Sequence, residues 1–105
     1  MEDPNLSYIN SMSDGDKIFE KKLIAIIKSE FPEEKQTYLN NIAAKNYKLT
    51  AENVHKLKHK ISILGLENSY EIAVAFENNL LIGDVTLQNE FESILTIITN
   101  YLHKL

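Results

Sequence analysis

Apolar residues recur along this chain three and four positions apart, and nowhere do they alternate with strand period between turn signals. That is the pattern of amphipathic helices. The clearest stripe lies in residues 85–103, where Leu87, Phe91, Ile94, Ile98, Tyr101 and Leu105 share one face and Leu95 and Leu102 widen it. Residues 16–30 place Phe19, Leu23, Ile26 and Ile27 at helical spacing, with lysines elsewhere on the wheel. Phe31-Pro32 then interrupts the pattern, because the residue before a proline is biased out of the helical region. A second helix is therefore expected over 32–45, with Glu33 and Glu34 in its first turn and Tyr38, Leu39, Ile42 and Ala43 inward. One kinked helix is the alternative.

Thr50 reads as an N-cap for the next helix, with Leu49 and Val54 at the positions of a hydrophobic staple. Gly65 most simply ends that helix as a left-handed cap, a close helix crossing being the alternative. Asn68 and Glu71 have capping-box spacing for a helix over 69–82, with Ile72, Ala75, Phe76 and Leu80 on one side. Gly83-Asp84 makes the next turn and cap. Residues 1–12 read as an arm or short helix that lays Leu6, Tyr8 and Ile9 on the rest, and Ser13-Asp14-Gly15-Asp16 as a turn with capping residues. The expected fold is all-α: one domain over 1–105, with an antiparallel four-helix bundle in 16–105 and the N-terminal segment packed against it.

Length and composition agree with this picture. A chain of 105 residues, 44 % hydrophobic and 25 % charged, can bury a core of its own. It has no apolar run near the length needed to cross a bilayer and no signal-peptide pattern, so no membrane partner is expected. The absence of cysteine excludes disulfides, thiol catalysis and cysteine-ligated metal, and suits a reducing cytoplasm. A net charge of −4 argues against nucleic acid as the main partner. Against that acidic background, residues 55–60 hold three lysines and two histidines, a local basic island. Most such runs are solvated helix faces, but this one would also attract an acidic surface or a phosphoryl group.

The island carries the candidate chemistry. On a helical wheel Val54, Leu57, Ile61 and Leu64 form an apolar seam, and His55, Lys58, His59 and Ser62 form a polar stripe roughly 130° away. If the seam faces a core, His55 and His59 face water, with Lys58 one turn from His55. A neutral imidazole nitrogen is a competent nucleophile near neutral pH, since its ordinary pKa is about 6.5. His55 and His59 at i, i+4 could instead chelate zinc or copper, but the sequence nearby supplies no third ligand.

His55, Leu57, Lys58 and Gly65 match, in type and spacing, the signature of the histidine-containing phosphotransfer (HPt) family, which this chain resembles. Asp14-Gly15-Asp16 before an apolar helix, Phe31 with the helix to Lys45, and Phe76-Glu77 extend the likeness over nearly the whole chain. His59 departs from the family, which usually has a small residue there, most often glycine. The resemblance implies an HPt-like bundle in which His55 accepts a phosphoryl group from a receiver-domain aspartate and passes it to another receiver. It implies that Lys58 supplies positive charge to the phosphoryl oxygens. His59 and Ser62 would be accessory, and Lys56 and Ile63 would belong to a docking patch. The partners implied are response-regulator receiver domains and a hybrid sensor histidine kinase. No cofactor is expected on this chain, because magnesium would come with the receiver's acidic pocket. There is no Walker loop and no Gly-rich nucleotide motif, so the expectation is a cytoplasmic phosphocarrier rather than an enzyme, with monomer the simplest state. The rival reading keeps the bundle as a module that docks a receiver or kinase without transferring phosphate, and His59 is the feature that favours it.

Overall fold

Asp16 opens the longest element of the chain by accepting hydrogen bonds on its carboxylate from the amides of Ile18 and Phe19, at 3.0 and 3.1 Å. In the computed structural model, which describes residues 2–105, helix α2 then runs unbroken over Lys17–Ala43. It is preceded by the short helix α1 (Ser7–Ser13) and followed by α3 (Tyr47–Ile63), α4 (Glu67–Leu80) and α5 (Gln88–His103). No strand occurs among the described residues, and none of their helices is long and apolar enough to cross a membrane. Of the expected N-terminal arm, Met1 lies outside the described residues.

The expected break at Phe31-Pro32 does not occur. Pro32 sits exposed inside α2, while Ile27, Phe31, Tyr38 and Ile42 stay buried on a single seam that passes straight through it. Core packing along that seam outweighs the roughly 3 kcal/mol that an interior proline costs.

The start of α3 also differs from expectation. Asn46, not Thr50, is its N-cap, accepting from the Leu49 amide, while the Thr50 hydroxyl is buried one turn in and donates to the Asn46 carbonyl. Leu49 is exposed, so the expected staple is not formed. At the other end the reading holds. Gly65 has φ +78°, its amide donates to the Ser62 carbonyl, and the Leu66 amide donates to the Ile61 carbonyl. These are the paired bonds of a left-handed helix stop.

Helix α4 begins two residues earlier than expected and has no cap from its own residues. The Glu2 carboxylate takes that place, accepting from the amides of Asn68 and Ser69 at 2.8 Å each. Desolvation raises the Glu2 carboxyl, but these hydrogen bonds outweigh it and hold it below the ordinary range. The arm is fixed a second time where the Asn5 amide donates to the Leu64 carbonyl at 2.8 Å. Helix α5 starts at Gln88 rather than at 85, after a turn in which the Asp84 carboxylate accepts from both the amide and the hydroxyl of Thr86.

The core is shared by all five helices: Ile9 from α1, the α2 seam, Val54, Leu57 and Ile61 from α3, Ala73 and Phe76 from α4, and Phe91, Ile94, Leu95 and Ile98 from α5. At its centre Tyr38 meets Phe91 edge-on at 5.2 Å and Phe76 at 6.4 Å. The Tyr38 hydroxyl donates to the Glu92 carboxylate at 3.0 Å. Burial, and then the neighbouring Glu92 charge, push this phenol well above its ordinary pKa.

Helices α2 and α3 run in opposite directions, because Asn41 bonds Asn53 near one end and Lys60 reaches Glu30 and Glu34 near the other. At about 1.5 Å per residue, α2 spans roughly 40 Å and α3 about 26 Å, so the start of α2 lies beyond the reach of α3. That explains one correction: Phe19, expected inward, is exposed, as is Ile18. Ile26 is also exposed, because it sits off the seam that its neighbour Ile27 carries into the core. Ala43, Ala75 and Leu105 are likewise exposed, and Ala73 is buried in place of Ala75. The overhang gives the molecule its 44 Å long axis.

Candidate functional site

The seam of α3 faces the core as its spacing requires: Val54, Leu57, Ile61 and Leu64 are all fully buried. His55, one residue on from Val54, is therefore turned outward, and 53 % of its side chain is exposed. Its neighbour across the helix boundary is Glu77 of α4, which flanks the buried Phe76. Glu77 Oε2 lies 3.1 Å from His55 Nδ1. An ionised carboxylate only accepts hydrogen bonds, so in the neutral ring this contact favours the tautomer with the proton on Nδ1 and the lone pair on Nε2.

The other oxygen of Glu77, Oε1, lies 2.9 Å from the Lys58 ammonium. This contact is an ion pair without the alignment of a hydrogen bond, and Oε1 is otherwise buried without a partner. Only 14 % of the Lys58 side chain is exposed. The ammonium expected one turn from the imidazole is there, and it is paired with the same carboxylate that holds the ring. His59 is exposed and lies edge-on to His55, ring centroids 5.1 Å apart. The four side chains form a compact group of one half-exposed ring, one carboxylate, one ammonium and a second ring.

Lys60, the third lysine of the island, is paired to Glu30 Oε1 at 2.9 Å and Glu34 Oε1 at 3.3 Å. The island is therefore mostly neutralised by acids on α2 and α4, and of its lysines Lys56 is the exposed one. Lys56 lies with His55, Glu52 and Glu77 around a surface hollow of about 400 Å³. Ser62 is exposed a full turn beyond His59, beside Tyr70 and Glu71 of α4. Ile63 is half-buried and packs on the core, so its side chain is shared between interior and surface. His103, the remaining histidine, lies at the end of α5.

Sequence spacing identified the residues on α3 but not their acidic partners. In sequence Glu77 enters only through the Phe76-Glu77 likeness, and nothing in the spacing of Glu30 and Glu34 points to Lys60. The available signal was their position: each is an acid bordering a buried stripe, where a basic residue on the next helix can reach it. Among the described residues no group of three or more histidines and carboxylates is arranged to hold a metal ion. Compared with models of known families, curated proteins and solved structures, the chain matches none.

Proposed function

We propose that this chain is a phosphorelay intermediate of the HPt type, an antiparallel four-helix bundle carrying a short N-terminal helix and bearing its phosphoryl group on His55. The observation that carries the reading is the half-exposed imidazole whose Nδ1 is held by Glu77, which leaves Nε2 as the nucleophile. In the transfer, the Nε2 lone pair attacks phosphorus of a receiver's aspartyl phosphate. The N–P bond forms as the acyl P–O bond breaks, and the aspartate leaves as carboxylate. The ring gains positive charge while Nδ1 keeps its proton, and the Glu77 carboxylate stabilises that charge. The reverse sequence loads the next receiver. An acyl phosphate donor needs no further activation, so the step depends on alignment and charge.

Lys58 acts on the same group through Glu77 in the resting state. When two or three phosphoryl oxygens arrive at Nε2, one turn away, its ammonium has a second anion within reach. Magnesium belongs to the receiver's acidic pocket and is not required on this side. The partners are receiver domains and the hybrid kinase that charges the first of them. The observation favouring a docking module without transfer is that His59 stands against the reactive ring, where it adds bulk on the face that a receiver must approach.

The test is to mix the purified protein with a receiver carrying a radiolabelled aspartyl phosphate and to follow acid-labile, base-stable label. Wild type takes up label and His55→Gln takes up none. Lys58→Ala slows transfer roughly tenfold, the worth of one charge-assisted contact, with the fold unchanged by circular dichroism. His59→Gly transfers as fast as wild type or faster. Label on His55→Gln moves the site elsewhere, and tight receiver binding without label in any form selects the docking module.

A further inference from the structure

A hollow of about 420 Å³ lies between α2 and α5 and shares no lining residue with the His55 site. Its floor is apolar: Phe31 and Leu102 are buried and Leu39 is half-buried. Its rim is basic, with Lys28, Lys35 and His103, and among the described residues no carboxylate lines it. On a protein of net charge −4 this is a local reversal. The Lys35 ammonium is already positioned, donating to Thr99 Oγ1 at 2.8 Å, and that hydroxyl is itself fixed on the Leu95 carbonyl. An ammonium has three N–H donors, so others remain for a ligand.

We infer that this groove binds a small organic carboxylate with an apolar body, such as a medium-chain or aromatic acid. The volume falls within the range of about 300–1,000 Å³ typical of small-molecule sites, which likewise combine an apolar lining with a few placed polar groups. The carboxylate sits on Lys35 with Lys28 and His103 beside it. The body covers Phe31, Leu39 and Leu102. Because Lys35 is held by Thr99 before binding, little side-chain freedom is lost when the ligand arrives.

The probe is octanoate, titrated into the full chain while amide shifts are recorded by NMR, with octanol as the neutral control. Octanoate produces saturable shifts confined to residues 28–39 and 99–103 and leaves His55 and Glu77 unmoved. Octanol binds roughly tenfold more weakly or worse, since it forfeits a charge-assisted contact. Lys35→Gln weakens octanoate by a similar factor and leaves octanol unchanged. Lys28→Gln, at an exposed position that cannot disturb Thr99, weakens octanoate in the same direction. Equal affinity for the two probes, saturable shifts elsewhere, or no saturable shift overturns the assignment. Shifts of the same residues with protein concentration alone assign the groove to a second copy of the chain and overturn it too.

Discussion

Glu77 divides one carboxylate between two side chains of α3, with Oε2 on the ring of His55 and Oε1 beside the ammonium of Lys58. A base held in one tautomer by a carboxylate on its far nitrogen is a recurring device for presenting the near nitrogen to substrate. Glu77→Gln keeps the size and one acceptor but removes the charge. It is expected to slow phosphoryl uptake on His55 roughly tenfold, the cost of losing one charge-assisted hydrogen bond. It should also raise the population of His55 protonated on Nε2, read from ¹⁵N shifts of the ring. An unchanged rate together with an unchanged tautomer would reduce Glu77 to a packing residue. His55 and Lys58 were legible from spacing because both lie on one helix. Glu77 lies on another helix, and a one-dimensional pattern does not report which helices touch.

At the scale of the helices, legibility followed the strength of the apolar stripe. In α5 the stripe is wide, and Phe91, Ile94, Leu95, Ile98 and Leu102 are buried as their spacing requires. At Pro32 a local rule, that proline ends a helix, lost to a seam continuing through Phe31 and Tyr38 that only tertiary contact rewards. At the start of α3 two capping residues stood one turn apart, and the earlier one, Asn46, was used. The cap of α4 could not be read locally at all, since Glu2 supplies it from 66 residues away. Because the native Glu2 carboxyl is held below its unfolded value, its contribution is complete above the ordinary glutamate range and is lost as pH falls through the lowered value. Glu2→Gln is therefore expected to cost less than about 1 kcal/mol of stability at about pH 7, since the site is solvent-screened, and almost nothing at a pH well below the lowered value. Urea unfolding at both values measures this, and an equal gap at the two would remove the charge from the explanation.

For the molecule as a whole, the basic island is a set of ties between helices more than a free cationic surface. Lys58 is held by α4 and Lys60 by α2, on a chain whose net charge is −4. Under the proposed phosphorelay role, long-range attraction of an acidic receiver would be correspondingly weak. The association rate with a receiver is expected to change less than about threefold between low and physiological salt, where a steered pair would change far more. Stopped-flow mixing across that range tests it, and a steep decline would show that the pairs open as the partner approaches. The turn between α3 and α4 is three residues long, so His55 and Glu77 are only 22 positions apart in the chain. The strap from Glu2 to Asn68 closes a loop of 66. By the logarithmic growth of loop-closure entropy, bringing the ring to its carboxylate costs about 1 kcal/mol less than fastening the strap. The pair of His55 and Glu77 is thus among the cheaper long-distance meetings the chain has to arrange.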